Sequence, residues 1–465
     1  MQGVIALHRF GLGAVPGEVP PHDAEASLLD QFERYEPRPG PIASHPQTAE
    51  NARAAAHGFW PSGPDGKLLP LEERRARGGA LRAASARLLA DGARARLESA
   101  LVTETPFVER LVHFWANHFA VSASPGKVAA LAANLEFDAI RPHVLGRFAD
   151  LLLAAIRHPA LLDYLDQVAS MGPNSPAAVQ RNSYRRSRGQ PDEFGANENF
   201  AREVLELHTL GVDGGYGQQD VVELAYALTG WSVSHFVVRT RTAPAEPGTF
   251  VFHPDWHEPG RRRILGRTYA QPGEAKGVAV LRDLAVHPST ARFVSWKLAR
   301  HFVADEPPQA LVERMAQRFL ATGGDLPEVY TELVRAPEAW SPVPAKVRTP
   351  WEWTVASLRG LGVRSADGLD PHALLDRLGQ PVWTPGSPAG WPDVGGAWAG
   401  SNLMLRRIEA ARAFAELHGG AQEAPALAGA LFGDAVSPQT RRALAQASGR
   451  DAVALLLLSR EFYRR

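Results

Sequence analysis

Apolar side chains recur at helical spacing along most of this chain, and prolines and glycines divide that pattern into short segments. Alanine, leucine and arginine are abundant in these segments and are strong helix formers. The 37 prolines and 42 glycines interrupt them, because proline lacks an N–H donor and glycine is costly to order in a helix. We therefore expect a mainly α-helical globular protein, a bundle of many short helices.

Two local signals refine this expectation. Leu71–Leu101 has the pattern of a long helix, with a predicted break near Gly78 and Gly79. The dipeptide Thr105–Pro106 is a typical helix start, with threonine as N-cap and proline at the first helical position.

One segment has the character of a strand. Thr249–Gly266 holds two short apolar runs around a Pro/Gly turn, which predicts a small β-hairpin insertion near 249–268. The helical pattern around it divides into an N-terminal region (1–104), a central core (105–345) and a C-terminal region (346–465). We expect these three regions to form one continuous globular unit.

Charge balance and the lack of cysteine exclude several classes of protein. Lys and Arg together number 50, as do Asp and Glu, so no global field favours nucleic acid or anionic lipid, and no nucleic-acid partner is expected. Without cysteine there are no disulfides, thiolate nucleophiles or cysteine zinc sites. The chain has no Walker loop, no GxGxxG after a strand, no HExxH and no GxSxG. No nucleotide cofactor is therefore expected.

Targeting signals are also missing from the printed sequence. No apolar run approaches the length of a membrane span, and Val4–Leu7 is too short for the core of a signal peptide. We expect a soluble chain that is cytoplasmic as given, or periplasmic or exported if a leader has been removed.

The richest group of polar side chains lies on a predicted helix from Asn197 to Leu210, which ends at Gly211 as its C-cap. On an ideal helix five polar side chains share an arc of roughly 140°. We call this group the acidic stripe: Glu198, Asn199, Arg202, Glu203 and Glu206.

The acidic stripe has two interpretations. It is a solvated helix face in which Glu198–Arg202 and Arg202–Glu206 are i,i+4 pairs. Alternatively it lines a cleft, where Glu203 or Glu206 acts as general acid or base while Arg202 and Asn199 orient a substrate.

The motif "HFWANHF" supplies further candidates. His113 and His118 are five residues apart and so lie on different faces of a helix. His118 falls on the apolar stripe with Trp115, which favours core packing, and it is a secondary catalytic candidate. Asn117 could face the same cleft as His113.

A third group is "HPDWHE". His253, Asp255 and His257 could chelate a divalent cation in a loop. The alternative is a polar turn, in which the Asp255 carboxylate bonds its own backbone.

Four stretches together resemble a known family. They are "RFGLGA" (Arg9–Ala14), "HFWANHFAVS" (His113–Ser122), the long run Asn197–Trp231 and "LARHFVADEPP" (Leu298–Pro308). In order and over nearly the whole chain they resemble the bacterial family called domain of unknown function 1800. The resemblance implies no defined activity. Many members resemble exported proteins encoded near relatives of phosphatases and sulfatases, which implies work in the cell envelope.

Three functional hypotheses follow. The first is a hydrolase-like enzyme with a carboxylate-centred cleft that acts on a polar substrate, such as a saccharide or another envelope compound. The second is a scaffold or assembly partner of a phosphatase- or sulfatase-like neighbour, docking through the tryptophan-rich segment Trp383–Trp398. The third is a divalent-metal-binding protein.

Overall fold

The computed structural model describes residues 1–59, 69–123, 126–234, 246, 248–419 and 423–465. Over these residues the chain is mainly helical, and two short antiparallel ribbons contribute the strands. The predicted fold class is therefore confirmed. No helix in this part of the chain is long and apolar enough to cross a membrane.

The N-terminal region contributes mostly short helices and one long helix. They are α1 (Gln2–Ile5), α2 (Ala24–Leu29), α3 (Gln31–Arg34), α4 (Gly40–Ala43), α5 (Thr48–Phe59) and α6 (Leu71–Val102).

The central region supplies most of the helices that surround the candidate site. They are α7 (Pro106–His118), α8 (Lys127–Asn134), α9 (Phe148–Arg157), α10 (Pro159–Tyr164), α11 (Pro176–Arg186), α12 (Glu198–Glu203), α13 (Gln218–Leu228), α14 (Glu274–Ala285), α15 (Pro288–Phe302), α16 (Gln309–Ala321) and α17 (Leu326–Arg335).

The C-terminal region packs a further set of helices against these. They are α18 (Pro350–Gly360), α19 (Pro371–Arg377), α20 (Ser401–His418), α21 (Ala424–Phe432), α22 (Pro438–Gln446), α23 (Gly449–Leu457) and α24 (Arg460–Tyr463).

Prolines start several of these helices, as the sequence predicts. Pro106, Pro159, Pro288 and Pro350 each occupy a first helical position, where the missing N–H donor costs nothing. The predicted start of α7 is thus confirmed, although Thr105 makes no side-chain cap bond.

The predicted break in the long helix is wrong. α6 runs without interruption over 32 residues, although Gly78 and Gly79 cost about 1 kcal/mol each relative to alanine. Burial of its second half outweighs that cost. There Gly92 lets α8 approach so closely that a Cβ at this position would lie 2.5 Å from the Cβ of Ala133.

The β content is present, but its pairing differs from the predicted hairpin. Strand Phe250–Phe252 pairs with Trp231–Val233, which directly follows α13, while Arg262–Ile264 pairs with Arg267–Tyr269. The second ribbon turns at Leu265 and Gly266, both with positive φ (49° and 77°), as a two-residue primed turn requires. Leucine is uncommon in that conformation, so this turn is difficult to predict from the residues alone.

A single large apolar cluster joins the three predicted regions. It includes Phe10 from the N-terminal region, Trp115 and Tyr330 from the centre and Trp353 from the C-terminal region. One buried polar pair lies within it: the Trp115 indole N–H donates to the Tyr330 hydroxyl at 2.6 Å. The boundaries near residues 104 and 345 remain sequence predictions.

Candidate functional site

The predicted helix that carries the acidic stripe is present but is not a uniform α-helix. Asn197 is its N-cap and accepts a hydrogen bond from the Phe200 N–H at 3.1 Å. After α12 the chain continues as a π-helical turn, Val204–Thr209, in which the Thr209 hydroxyl donates to the Val204 carbonyl at 2.7 Å. The wider turn shifts Glu206 from the position that ideal α-helical spacing gives it.

The acidic stripe lies at the protein surface. Glu198 and Asn199 are exposed, and Arg202, Glu203 and Glu206 are half-buried. Arg202 lies 3.9 Å from Glu206 and donates to the side-chain oxygen of Gln218 at 2.7 Å. The Gln218 amide in turn donates to Glu198 at 2.7 Å. The stripe therefore ties α12 to the start of α13.

Within the acidic stripe, the pKa of Glu203 is raised above its ordinary value. Burial raises its pKa, the charge of Glu206 adds to this effect, and Arg202 opposes it. A raised pKa is the property expected of a general acid. No member of the acidic stripe lines the cavity that lies between α7, α15 and α18.

The residues of the "HPDWHE" loop have separate partners. The His257 Nδ1 lies 3.0 Å from the Thr229 carbonyl and its Nε2 lies 3.1 Å from Lys276 Nζ. His253 stacks on Trp256 with ring centroids 4.4 Å apart, and Asp255 is exposed. Within the described ranges, no three or more His, Asp or Glu side chains are grouped so that they could hold a metal ion.

A cavity of about 400 Å³ lies between α7, α15, α18 and the segment 380–393. Four indole rings stand in its lining: Trp296, Trp351, Trp383 and Trp391. We call it the tryptophan cavity. It also receives charged side chains from several helices, so it combines apolar walls with a few polar groups, as ligand sites usually do.

One face of α7 forms part of this lining. Arg110 and Phe114 are four residues apart, as are His113 and Asn117, and on a helix the four positions share one face. All four line the tryptophan cavity. His113 and Asn117, which the sequence suggested for one cleft, are thus brought together here.

α15 lines the cavity in the same way. Trp296, Lys297, Arg300 and His301 are spaced so that they share one face of the helix, and all four line the cavity. Arg110, Lys297 and Arg300 therefore reach the cavity wall from two regular helices, which hold side chains more firmly than loops do.

The most distinctive pair in the cavity is His301 with Asp393. The His301 Nδ1 lies 2.7 Å from Asp393 Oδ2, and the His301 Nε2 is buried without a hydrogen-bond partner in the described part of the chain. Burial lowers the pKa of His301, against the raising influence of Asp393. The imidazole is therefore neutral, donates from Nδ1 to the carboxylate and keeps a free lone pair on Nε2.

Asp393 is held in the charged form. Burial opposes ionisation, but the adjacent His301 and the Lys346 ammonium lower the pKa of this carboxyl far below its usual range. Lys346 Nζ lies 3.2 Å from Asp393 Oδ1 and donates to the Asp393 carbonyl at 2.8 Å. The carboxylate is thus fixed on both sides, and it fixes the orientation of the imidazole.

His113 occupies another part of the wall. Its Nδ1 accepts a hydrogen bond from the Trp351 indole N–H at 3.2 Å, and its Nε2 lies 3.6 Å from Glu109. Glu109 is bound by both Nη atoms of Arg141 at 2.8 Å. Glu109 is therefore part of a buried ion pair with Arg141 and lies behind His113, outside the cavity lining.

His118, the secondary catalytic candidate, is buried beside the cavity and does not line it. Its Nε2 lies 3.2 Å from the His208 carbonyl, and its Nδ1 lies 3.1 Å from Lys297 Nζ. Since burial lowers the pKa of His118 well below its usual value, the ring is neutral and accepts from the ammonium. His118 thus positions Lys297, whose own pKa burial lowers to about 8.

The remaining lining carboxylates are paired. Glu136 binds Arg96 Nε at 2.9 Å and accepts from the Trp383 indole at 2.9 Å. Glu352 accepts hydrogen bonds from Arg110 and from Arg465. These two carboxylates balance buried arginines.

The segment 380–393 closes the cavity and is pinned to α7. The Asn117 side chain accepts from the Trp391 N–H at 2.7 Å and donates to the Trp391 carbonyl at 2.9 Å. Gly390 has φ +81°, and a Cβ there would lie 2.4 Å from the Asn117 carbonyl oxygen. Only glycine fits this position without strain.

Sequence reasoning missed His301, Lys297 and Asp393 as site residues. Signals for two of them were available: His301 lies in the stretch "LARHFVADEPP", and Asp393 lies in the tryptophan-rich segment. Their pairing joins residues 92 positions apart, a distance at which spacing in the sequence carries no information.

Fold and site together define a class of protein: a helical domain around an aromatic-walled cavity that contains an Asp–His pair and several cationic side chains. The family described as "Protein of unknown function (DUF1800)" matches residues 5–464, so the chain belongs to this family. Comparison with curated proteins and with solved structures gives no match.

Proposed function

We propose that this protein is a hydrolase-like enzyme whose polar substrate binds in the tryptophan cavity, with His301 as general base. The observation that carries the proposal is the neutral imidazole of His301, oriented by Asp393 through Nδ1, whose Nε2 has no hydrogen-bond partner among the residues that the structure describes. In this state Nε2 can take a proton from a water or a hydroxyl group, while Asp393 stabilises the imidazolium that forms.

The base in this proposal is a histidine, although the sequence favoured a glutamate. Glu136 and Glu352 in the cavity are occupied by arginines, so neither has a free lone pair suited to proton abstraction. Glu203 and Glu206 lie at the surface on the acidic stripe. His301 is therefore the group in the cavity best prepared to act as a base.

The walls support a ring-shaped polar substrate such as a saccharide. Indole rings offer flat apolar faces, and around them stand the Asn117 amide, the Gln380 amide and the cationic side chains. A volume of about 400 Å³ lies in the range of small-molecule sites.

The alternative of a scaffold for a phosphatase- or sulfatase-like partner depends on Trp383–Trp398 as an outer docking surface. Trp383 and Trp398 retain only 8% and 4% of their surface exposed, and Trp383 stands in the cavity wall. The inward position of these rings supports the enzyme proposal over the scaffold.

The test is hydrolysis of a panel of 4-nitrophenyl glycosides, carboxylic esters, sulfates and phosphates by wild type, Asp393→Asn and His301→Ala. We expect wild type to hydrolyse at least one class, and Asp393→Asn to lower kcat by about 10³- to 10⁴-fold because the imidazole loses its orientation. Asp376→Asn is the matched control, since Asp376 is exposed on α19 away from the cavity. A wild type inactive on the whole panel, or a folded Asp393→Asn protein with unchanged kcat, would contradict the proposal.

A further inference from the structure

The charges around the tryptophan cavity do not balance. Four cationic side chains and three carboxylates line it; they are Arg96, Arg110, Lys297 and Arg300, and Glu136, Glu352 and Asp393. Behind the wall, Lys346 binds both Asp393 and Asp305, and Arg465 binds Glu352. Each lining carboxylate thus has a partner among Arg96, Arg110 and Lys346, which leaves a positive excess at the other two lining cations.

Lys297 carries part of this excess. Among the described residues its Nζ makes no ion pair with a carboxylate, and its hydrogen bond goes to the neutral Nδ1 of His118 at 3.1 Å. An ammonium group has three N–H donors. One of them is bound to the imidazole of His118, so two remain for a ligand.

Arg300 carries the rest. It lies three residues after Lys297 on the same face of α15, so the two heads are neighbours. Its Nε donates to the Asp305 carbonyl at 2.9 Å, and its carboxylate contact, to Glu306, is 3.5 Å long and involves a glutamate that is 89% exposed. The guanidinium Cζ lies over the Trp296 ring, 3.9 Å from its centroid, and this contact holds the guanidinium beside the cavity.

We propose that Lys297 and Arg300 form an anion subsite in the tryptophan cavity, and that the substrate is a ring-bearing acid whose carboxylate, sulfate or phosphate they bind. This assignment rests on the proposed function, since it gives the charge of the molecule on which His301 acts. His301 follows Lys297 by four residues on the same helix face, so the anionic group is held next to the reacting bond. An anion fixed by a guanidinium and an ammonium forms charge-assisted hydrogen bonds, the stronger kind.

The test measures binding by quenching of tryptophan fluorescence and by calorimetry. The probes are D-glucuronate, neutral D-glucose as its matched control, inorganic sulfate and inorganic phosphate. We expect glucuronate to bind at least tenfold more tightly than glucose. Lys297→Met and Arg300→Met should each weaken glucuronate binding about 10- to 100-fold, with Lys297→Arg restoring most of it. Arg292→Met, an exposed position on the same helix, should leave the affinity unchanged.

The outcomes separate this proposal from the enzyme proposal. Asp393→Asn should bind glucuronate like wild type even though it loses hydrolysis. If sulfate or phosphate binds as tightly as glucuronate, the subsite accepts free anions and the ring requirement is overturned. If wild type binds none of the anions, or if the folded Lys297→Met and Arg300→Met proteins both bind like wild type, the anion subsite is wrong, whatever the hydrolysis assays give.

Discussion

The acidic stripe and the tryptophan cavity hold similar residue types in opposite surroundings. On the stripe, Arg202 and Glu206 are 3.9 Å apart with 38% and 27% of their side chains exposed. Behind the cavity wall, Glu109 and Arg141 form a double hydrogen bond and are each only 1% exposed. Water screens the first pair and not the second, so equal charges have very different energetic consequences. A cluster of charged residues in the sequence therefore says little about function until the burial of their side chains is known.

The largest expected stability effect belongs to the buried pair. Glu109→Gln should lower the free energy of unfolding by about 3–5 kcal/mol, because Arg141 would be left as an uncompensated buried charge. Urea unfolding measures it, with Glu206→Gln as the matched control on the stripe. If Glu109→Gln lowered the free energy of unfolding by less than Glu206→Gln does, the proposed difference between buried and exposed charges would be wrong.

The stability that Glu109 contributes should depend on pH, and its direction follows from the pKa of this carboxyl. Although burial opposes it, Arg141 lowers the pKa of Glu109 far below its usual range. The stabilisation from Glu109 is therefore complete above the ordinary glutamate pKa of about 4.3 and is lost as the pH falls below it. The difference between wild type and Glu109→Gln should accordingly shrink in acid.

An intermediate loss of stability is expected at Gly390, where the segment 380–393 closes the tryptophan cavity. Gly390→Ala should cost about 1–3 kcal/mol, since alanine at φ +81° is strained and its Cβ meets the Asn117 carbonyl. It should also weaken glucuronate binding by displacing Trp391. Gly386→Ala in the same segment is the control, because a Cβ there meets nothing within 4 Å. Equal behaviour of the two variants in urea unfolding and in binding would show that the segment is not pinned to α7.

The smallest change in stability is expected for Glu203 on the acidic stripe, and its pH dependence is opposite to that of Glu109. The pKa of Glu203 is raised by burial and by Glu206, so its ionised form costs folding free energy above the folded-state pKa, and that cost disappears in acid. Glu203→Gln should therefore stabilise the protein by less than about 1 kcal/mol at pH 7 and have no effect below about pH 4. Thermal midpoints at the two pH values check this. Destabilisation at pH 7 would mean that the ionised carboxylate has a stabilising partner.

Part of the candidate site could be reached from the sequence. The start of α7 at Pro106 and its helical spacing placed His113 and Asn117 together, because three- and four-residue periodicity is a local property of the helix. His118 was placed on the apolar face for the same reason, and its burial beside Trp115 agrees with that spacing. The bond from His118 to Lys297 joins residues 179 positions apart, and no local rule predicts it.

Sequence alone determined the helical class, the proline-started helices, the presence of a small β element and the family. Each of these depends on backbone preferences or on patterns within a few residues, which act in the same way in any context. Only the tertiary structure decided which charges are buried, which strands pair, and that His301, Lys297 and Asp393 meet at one cavity. Those outcomes depend on burial and on contacts between distant segments, because the dielectric around a charge and the partner of a donor are set by the packing of the whole chain.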